Sequence, residues 1–242
     1  MVGTVGRRTG GRSSDGASGR DNSGQVDGRR SRWDNHRAQR RAEFVDVATN
    51  AVEEYGPSAS TAQIADLAGV ARPILYRHFK DKEDLHRAIA QRAVAMLIEQ
   101  LTGRLSEVGS ARELVTHTVD TYLQFLEKHP HLYRFVVQYA AFTRTGADVV
   151  ADVKGALAAH IGTLFHRFLQ RSGKDDILVD AMAFGVIGFV ESVGNWWLEN
   201  RTMERAPVSE MLCGSILRSI RGALKDRGLD LDPDEPLPWL QE

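Results

Sequence analysis

The stretch STAQIADLAGVARPILYRHF, residues 60–79, decides the fold. Ser60-Thr61-Ala62-Gln63 has the pattern of a capping box, in which the serine hydroxyl accepts an orphan amide N–H and the glutamine reaches back to the cap. Ile64, Ala65, Leu67 and Ala68 then face inward on a short helix that stops at Gly69. A second short helix opens around Arg72-Pro73, where proline is tolerated in the first turn, and carries Leu75, Tyr76 and Phe79. A capped short helix, a glycine turn and another short helix make a helix-turn-helix, whose second helix enters the major groove of DNA.

Upstream, Phe44, Val47, Ala48, Ala51, Val52 and Tyr55 recur at helical spacing. They predict a helix of about five turns from near His36 to Gly56-Pro57. Downstream, Asp81 caps a helix running from Lys82 to about Gly103. Beyond Ala111 the pattern predicts helices near 111–128, 131–142, 147–171, 175–200 and 207–226, separated by Pro- and Gly-containing breakers. No stretch alternates with period two, so the fold class is all-α. The tail from Leu231 to Glu242 holds three prolines and four acids and is expected to be extended. Residues 1–35 are rich in Gly, Ser and Arg and short of aliphatic side chains, and read as an unstructured arm. Such an arm is either a spacer or a DNA-contacting segment.

The domain reading is therefore an arm over 1–35, a three-helix head over 36–81 and a connecting helix over 82–103. A helical body spans 104–228, and an extended tail spans 229–242. Composition narrows the function. The 242 residues are 42% hydrophobic and 26% charged, an ordinary globular balance. The single cysteine, Cys213, can form neither an intrachain disulfide nor a cysteine-based zinc site. It reads as a buried small hydrophobe. The net charge of −1 hides an uneven distribution, with 10 arginines against four aspartates in residues 1–41. A basic head on an acidic body suits a polyanion contacted at one end. No nucleophile elbow, phosphate loop or dinucleotide fingerprint occurs, so an enzyme is not expected. The histidines show no metal-ligand spacing: His129 and His131 straddle Pro130, and His160 and His166 lie on different helix faces. No metal or cofactor is expected, and a bacterial cytoplasmic, nucleoid-associated location is.

The pairs Ile64-Ala65 and Lys82-Glu83, the runs Ala68-Gly69-Val70 and Leu75-Tyr76-Arg77-His78-Phe79, and Leu85 together give residues 40–86 a specific likeness. This segment resembles the N-terminal domain of the tetracycline-repressor (TetR) family of bacterial regulators. The resemblance implies phosphate contacts from Ser60, Tyr76, His78 and Lys82. It places Arg72, Pro73, Ile74 and Arg77 where base edges are read. Arginine there suits guanine, and Ile74 offers only apolar contact, for instance to a thymine methyl. Arg32 and Arg37, at the entry to the first helix, suit flanking DNA or a narrow minor groove. Two residues depart from the family pattern. Ala71 stands where a Ser or Thr cap is usual, and Pro73 replaces a small residue.

The body then resembles the family's effector-binding and dimerisation domain. Gln124, Phe165, Phe189, Glu191 and Asn195 are the expected lining of an effector pocket, since a pocket needs an apolar wall with a few polar groups. Helices 175–200 and 207–226 carry small residues and resemble the dimerisation pair. The expectation is a homodimeric regulator, most simply a repressor released from a palindromic operator by a small apolar or amphipathic effector. The alternatives are an activator of the same fold and a ligand-independent architectural DNA-binding protein.

Overall fold

The computed structural model describes residues 23–103, 107–171 and 178–237, with side chains from Asn35 onward apart from a few beside residues 172–177. The first helix, α1 (Ser23–Tyr55), buries Phe44, Ala48, Ala51 and Val52, each no more than 3% exposed. It begins upstream of His36, so residues 23–35 are helical where an unstructured arm is expected from their composition. The physical reason is that adding residues to an anchored helix is far cheaper than nucleating one, and arginine is a good helix former. Residues 1–22 lie outside the described residues. By its contacts the chain divides into Met1–Gln39 and Arg40–Glu242. In the first unit the described side chains, 35–39, are exposed on α1.

Helix α1 closes at Gly56, which takes φ +90° while its amide bonds to the Val52 carbonyl at 2.9 Å. Helix α2 (Thr61–Leu67) starts with the expected capping box. Ser60 Oγ accepts from the Gln63 amide at 3.2 Å, and the Ser60 amide donates to Gln63 Oε1 at 2.8 Å. The turn runs through Gly69 at φ +65°. Helix α3 (Arg72–Leu75) is only four residues long, and Ala71 gives it no side-chain cap. It is held instead by its apolar anchors, Leu75 and Phe79, which are 0% and 1% exposed. Burying each contributes about 1.5–3 kcal/mol.

Helix α4 (Lys82–Thr102) is capped by Asp81, whose carboxylate accepts from the Asp84 amide at 2.8 Å. Asp84 in turn accepts from Arg41 Nη2 at 2.9 Å, tying α4 to α1. The body follows as α5 (Ala111–Lys128), α6 (Pro130–Phe142), α7 (Arg144–Arg171), α8 (Leu178–Asn200) and α9 (Arg205–Lys225). Helix α7 packs between α6 and α8, and α5 lies along α9. Leu123, Leu126, Leu132, Trp197 and Leu212 fill the core at 1% exposure or less. The α6–α7 corner is tight: a Cβ on Gly146 would stand 2.3 Å from the Tyr139 carbonyl oxygen, so only glycine fits. No strand occurs among the described residues; a single isolated bridge pairs Ser110 with Pro236. That bridge belongs to the tail, whose residues 238–242 lie outside the described residues and whose residues 229–237 do not stand free. It folds back on the start of α5, with Leu231 buried.

Candidate DNA-reading surface and effector cavities

The two faces of residues 71–79 separate cleanly. Leu75 and Phe79 go inward, while Ala71, Arg72, Pro73, Ile74, Tyr76 and Arg77 are exposed together. Ile74 and Tyr76 keep 39% and 38% of their surface in solvent, beside the exposed Arg72 and Arg77. Arg72 Nη2 donates to Thr61 Oγ1 at 2.9 Å, which orients its guanidinium from the base of α2. Lys82 is exposed at the start of α4. The other expected contacts are partly engaged within the head. The Ser60 hydroxyl donates to Gln63 Oε1 at 2.8 Å in addition to accepting the cap. The half-buried His78 ring lies 5.0 Å from that of Phe44. Arg37 is exposed on α1, and the Arg32 side chain lies outside the described residues. Two neighbouring arginines have structural partners. Arg40 pairs with Glu43 at 2.8 Å, and the Arg41 guanidinium sits 4.8 Å from the Phe79 ring centre.

Among the described residues, the body holds two sizeable apolar cavities, both partly open to solvent. The larger, of about 320 Å³, lies among α4, α5, α6, α7 and α8 and is walled by aliphatic side chains such as Leu97, Val136 and Val153. Its polar atoms gather in one place. Tyr122, Tyr133, Lys154 and Glu191 all line it, and Lys154 Nζ pairs with Glu191 Oε2 at 2.6 Å with both side chains about one-third exposed. The Tyr122 hydroxyl is buried beside the Tyr133 phenol, and the two interact. Burial holds the Tyr122 phenol well above its ordinary value and raises that of Tyr133, so both remain donors at neutral pH. The ring of Tyr122 has room because residue 194 is glycine; a Cβ there would stand 2.7 Å from Cε1. The second cavity, of about 190 Å³, is reached past a wall common to both: Leu101, Thr118, Leu157, Ile161, Val186 and Val190. Leu231 and Leu237 of the tail help to line its far side.

Of the expected pocket residues, Glu191 lines the larger cavity and Phe165 the smaller. The other three line neither. Gln124 is exposed, Phe189 is 38% exposed, and the Asn195 amide donates to Glu199 Oε1 at 3.3 Å. Each has apolar neighbours in the sequence yet lines no cavity, a distinction that needs the packing partners and not the local composition. Sequence reasoning missed Tyr122 as a site residue, because an aromatic in an all-helical body reads as core. It also missed Lys154, although a lysine between Val150, Val153 and Leu157 was a usable signal. The histidines at the α5–α6 junction also have work beyond packing. His129 Nδ1 meets Glu53 Oε1 at 2.7 Å, and His131 Nδ1 meets the Glu53 carbonyl at 2.9 Å, so α6 grips the end of α1. No group of three metal-binding side chains occurs among the described residues. Nor is any described helix long and apolar enough to cross a membrane. Cys213 is buried, and burial raises its thiol above the ordinary value, which keeps it protonated and unreactive.

An exposed helix-turn-helix face on a helical body with internal apolar cavities defines a DNA-binding transcriptional regulator. Residues 44–89 match the family model for bacterial regulatory proteins of the tetR family, and residues 100–227 match the tetracyclin repressor-like C-terminal domain. The chain belongs to the TetR family. An HTH-type transcriptional regulator of Mycobacterium tuberculosis H37Rv, Rv0472c, is 30% identical over 216 residues, covering 88% of this chain and 92% of that protein. The HTH-type transcriptional activator FasR of Mycolicibacterium smegmatis is 28% identical over 165 residues, covering 68% and 74%. Among solved structures, a tetR-family regulator from Streptomyces coelicolor aligns with a TM-score of 0.59 at 21% identity, covering 73% of this chain and 80% of that one. FadR of Bacillus subtilis, solved with stearoyl-CoA, aligns with a TM-score of 0.59 at 18% identity, covering 72% and 96%. These family members are regulators of transcription and not enzymes.

Proposed function

We propose that this chain is a homodimeric repressor that binds a near-palindromic operator and leaves it when an apolar or amphipathic effector enters the body. The observation that carries the reading is the pairing of an exposed reading face with polar-tipped apolar cavities in one chain. Arg72, Pro73, Ile74 and Arg77 read base edges. Tyr76 and Lys82 hold phosphates, with Ser60 and His78 in secondary roles and Arg32 and Arg37 on flanking DNA. The effector is a molecule with a hydrocarbon body, since aliphatic side chains make almost the whole lining. The stearoyl-CoA held by the Bacillus subtilis FadR supports that class.

Dimerisation through α8 and α9 is supported by the outer face of those helices. Phe184, Phe189, Trp196 and Met211 are exposed there at 52%, 38%, 46% and 45%. Gly185, Gly188, Ser192, Gly214 and Ser215 let a second copy approach closely. A two-fold dimer sets its reading helices about one DNA turn apart, roughly 34–36 Å. Coupling between ligand and DNA runs through contacts joining body to head. Helix α6 lines the larger cavity and holds Glu53, while Thr145 on α7 donates to Glu83 on α4 at 2.7 Å. Each ligand then weakens the other by the same factor. Binding to the chromosome places the protein in the bacterial cytoplasm.

The test is selection of genomic fragments on the purified protein at about 150 mM salt, because weak non-specific binding dominates at low salt. Recovery of one inverted repeat supports the reading, and a reporter behind that fragment should be silenced. Random recovery favours the architectural alternative. A rise in the reporter reverses the sign and favours activation, the role that names FasR.

A further inference from the structure

Two exposed stripes of opposite character flank the junction where α6 grips the end of α1, and neither belongs to the reading face. One is on the head. Tyr55 and Leu67 are 43% and 40% exposed, and Glu54 and Asp66 beside them are exposed as well. These residues form one patch. The Glu54 carboxylate accepts from the Tyr55 phenol and holds that phenol above its ordinary pKa, and the Asp66 charge acts in the same direction. The other stripe runs along α6. Arg134, Gln138 and Ala141 are exposed on successive turns, with Phe142 at 85% and Val137, which also borders the larger cavity, at 38%. Phe142 is the barest large apolar side chain among the described residues. Among those residues no ion pair engages Glu54, Asp66 or Arg134.

We propose that the head stripe of one copy docks on the α6 stripe of a neighbouring copy, so that the protein assembles side by side along DNA. Tyr55 and Leu67 then cover Val137 and Phe142, while Glu54 and Asp66 face Arg134. Charge complementarity names the occupant. Two carboxylates exclude DNA from the head stripe, since they repel phosphates. An acidic apolar patch suits a basic apolar one, and this same chain carries it. The contact is heterologous, because the stripe on one copy meets a different stripe on the next. It therefore leaves a free stripe at each end and can be repeated. Few side chains meet, far short of the about 800 Å² per partner of a stable complex, so the contact is weak between free molecules. DNA removes that limit, because copies held on one duplex by phosphate contacts meet at high effective concentration. A strong site then recruits occupancy of weaker sequence beside it. The stripes lie on α1, α2 and α6, apart from the proposed α8–α9 dimer face.

The experiment titrates the full-length protein onto a long duplex of arbitrary sequence at low salt, where phosphate attraction alone gives binding. Sedimentation without DNA, over a wide range of protein concentration, is the second readout. The wild type should fill the duplex more steeply than independent sites allow, and should grow beyond its smallest species at high concentration, less so in high salt. Glu54→Arg and Arg134→Glu should each weaken the neighbour contact about tenfold or more, since like charges then meet. Combining them should restore it, because the charges are exchanged across the same contact. Phe142→Ser should weaken it without changing its salt dependence. A purely electrostatic effect on DNA would move the two single charge variants in opposite directions, whereas loss of the contact moves them the same way. Ser192→Arg on α8 should halve the smallest species and keep the steepness, which separates this contact from the α8–α9 dimer. Melting curves confirm that each variant is folded. A wild type that shows neither steepness nor growth overturns the proposal. So does steepness that no charge variant alters, or a combined variant no better than either single one.

Discussion

Leu75 is the residue on which the reading face depends. It is fully buried, and α3 has neither length nor a cap to hold it otherwise. Leu75→Ala should cost about 2–5 kcal/mol, read as a lowered melting temperature, with loss of operator binding at temperatures where the body is still folded. His86 makes a different statement. Burial against Phe135 and Tyr139, and secondarily the Lys82 charge, hold its imidazole below the ordinary 6.5. The folded state therefore favours neutral His86. This contribution to stability is complete above pH 6.5 and is lost progressively as pH falls from there through the depressed folded value. Denaturant midpoints should decline between pH 7 and 5, and the decline should be shallower in His86→Asn. An equal slope in the variant assigns the pH dependence to other groups.

At the scale of elements, corners and grips matter more than helix interiors. At the α6–α7 corner Gly146 admits no Cβ, so Gly146→Ala should destabilise by at least about 1–3 kcal/mol. Because α6 and α7 both line the larger cavity, ligand affinity should fall with it. Glu53→Ala removes a side-chain anchor of α6 on α1 while touching neither the reading face nor the cavity. It should leave operator affinity and effector affinity within about threefold of wild type, yet shrink the factor by which one weakens the other. An unchanged factor would move the coupling to α4 and α7. These elements also mark how far the sequence could be read. The helices were legible because apolar spacing and caps are local: Ser60 and Asp81 each accept the amide their position predicts. Ser23, where α1 begins, was not legible, since propagation from an anchored helix leaves no local mark. The positions of Gln124, Phe189 and Asn195 away from the cavities were not either, because local composition does not say which side a helix's neighbours take. Over residues 231–237 the tail's prolines excluded a helix correctly but could not say that Asp234 finds Arg112.

At the scale of the whole molecule, the proposed dimer governs how DNA is met. The exposed aromatic and small-residue face of α8 and α9 predicts that Ser192→Arg yields a folded monomer by light scattering. Operator affinity should fall at least a hundredfold as two half-sites lose their linkage. A dimer that survives the substitution would place the interface elsewhere. The division of labour explains why family membership was readable from so little chain. The head needs specific side chains in register, whereas the body needs only volume and apolarity, and many sequences satisfy that.

The hydrogen bond from Arg72 to Thr61 has a consequence for how sequence preference is stored. Thr61 is 6% exposed and cannot touch DNA, yet it fixes where the guanidinium points before any operator arrives. An arginine restrained in this way has less freedom to lose on docking and fewer ways to accommodate a wrong base. In the proposed reading, part of the operator code is therefore written in a buried threonine. Thr61→Val keeps the shape and deletes the acceptor, and the motif it selects should be blurred at the Arg72 position although no DNA-facing atom has changed.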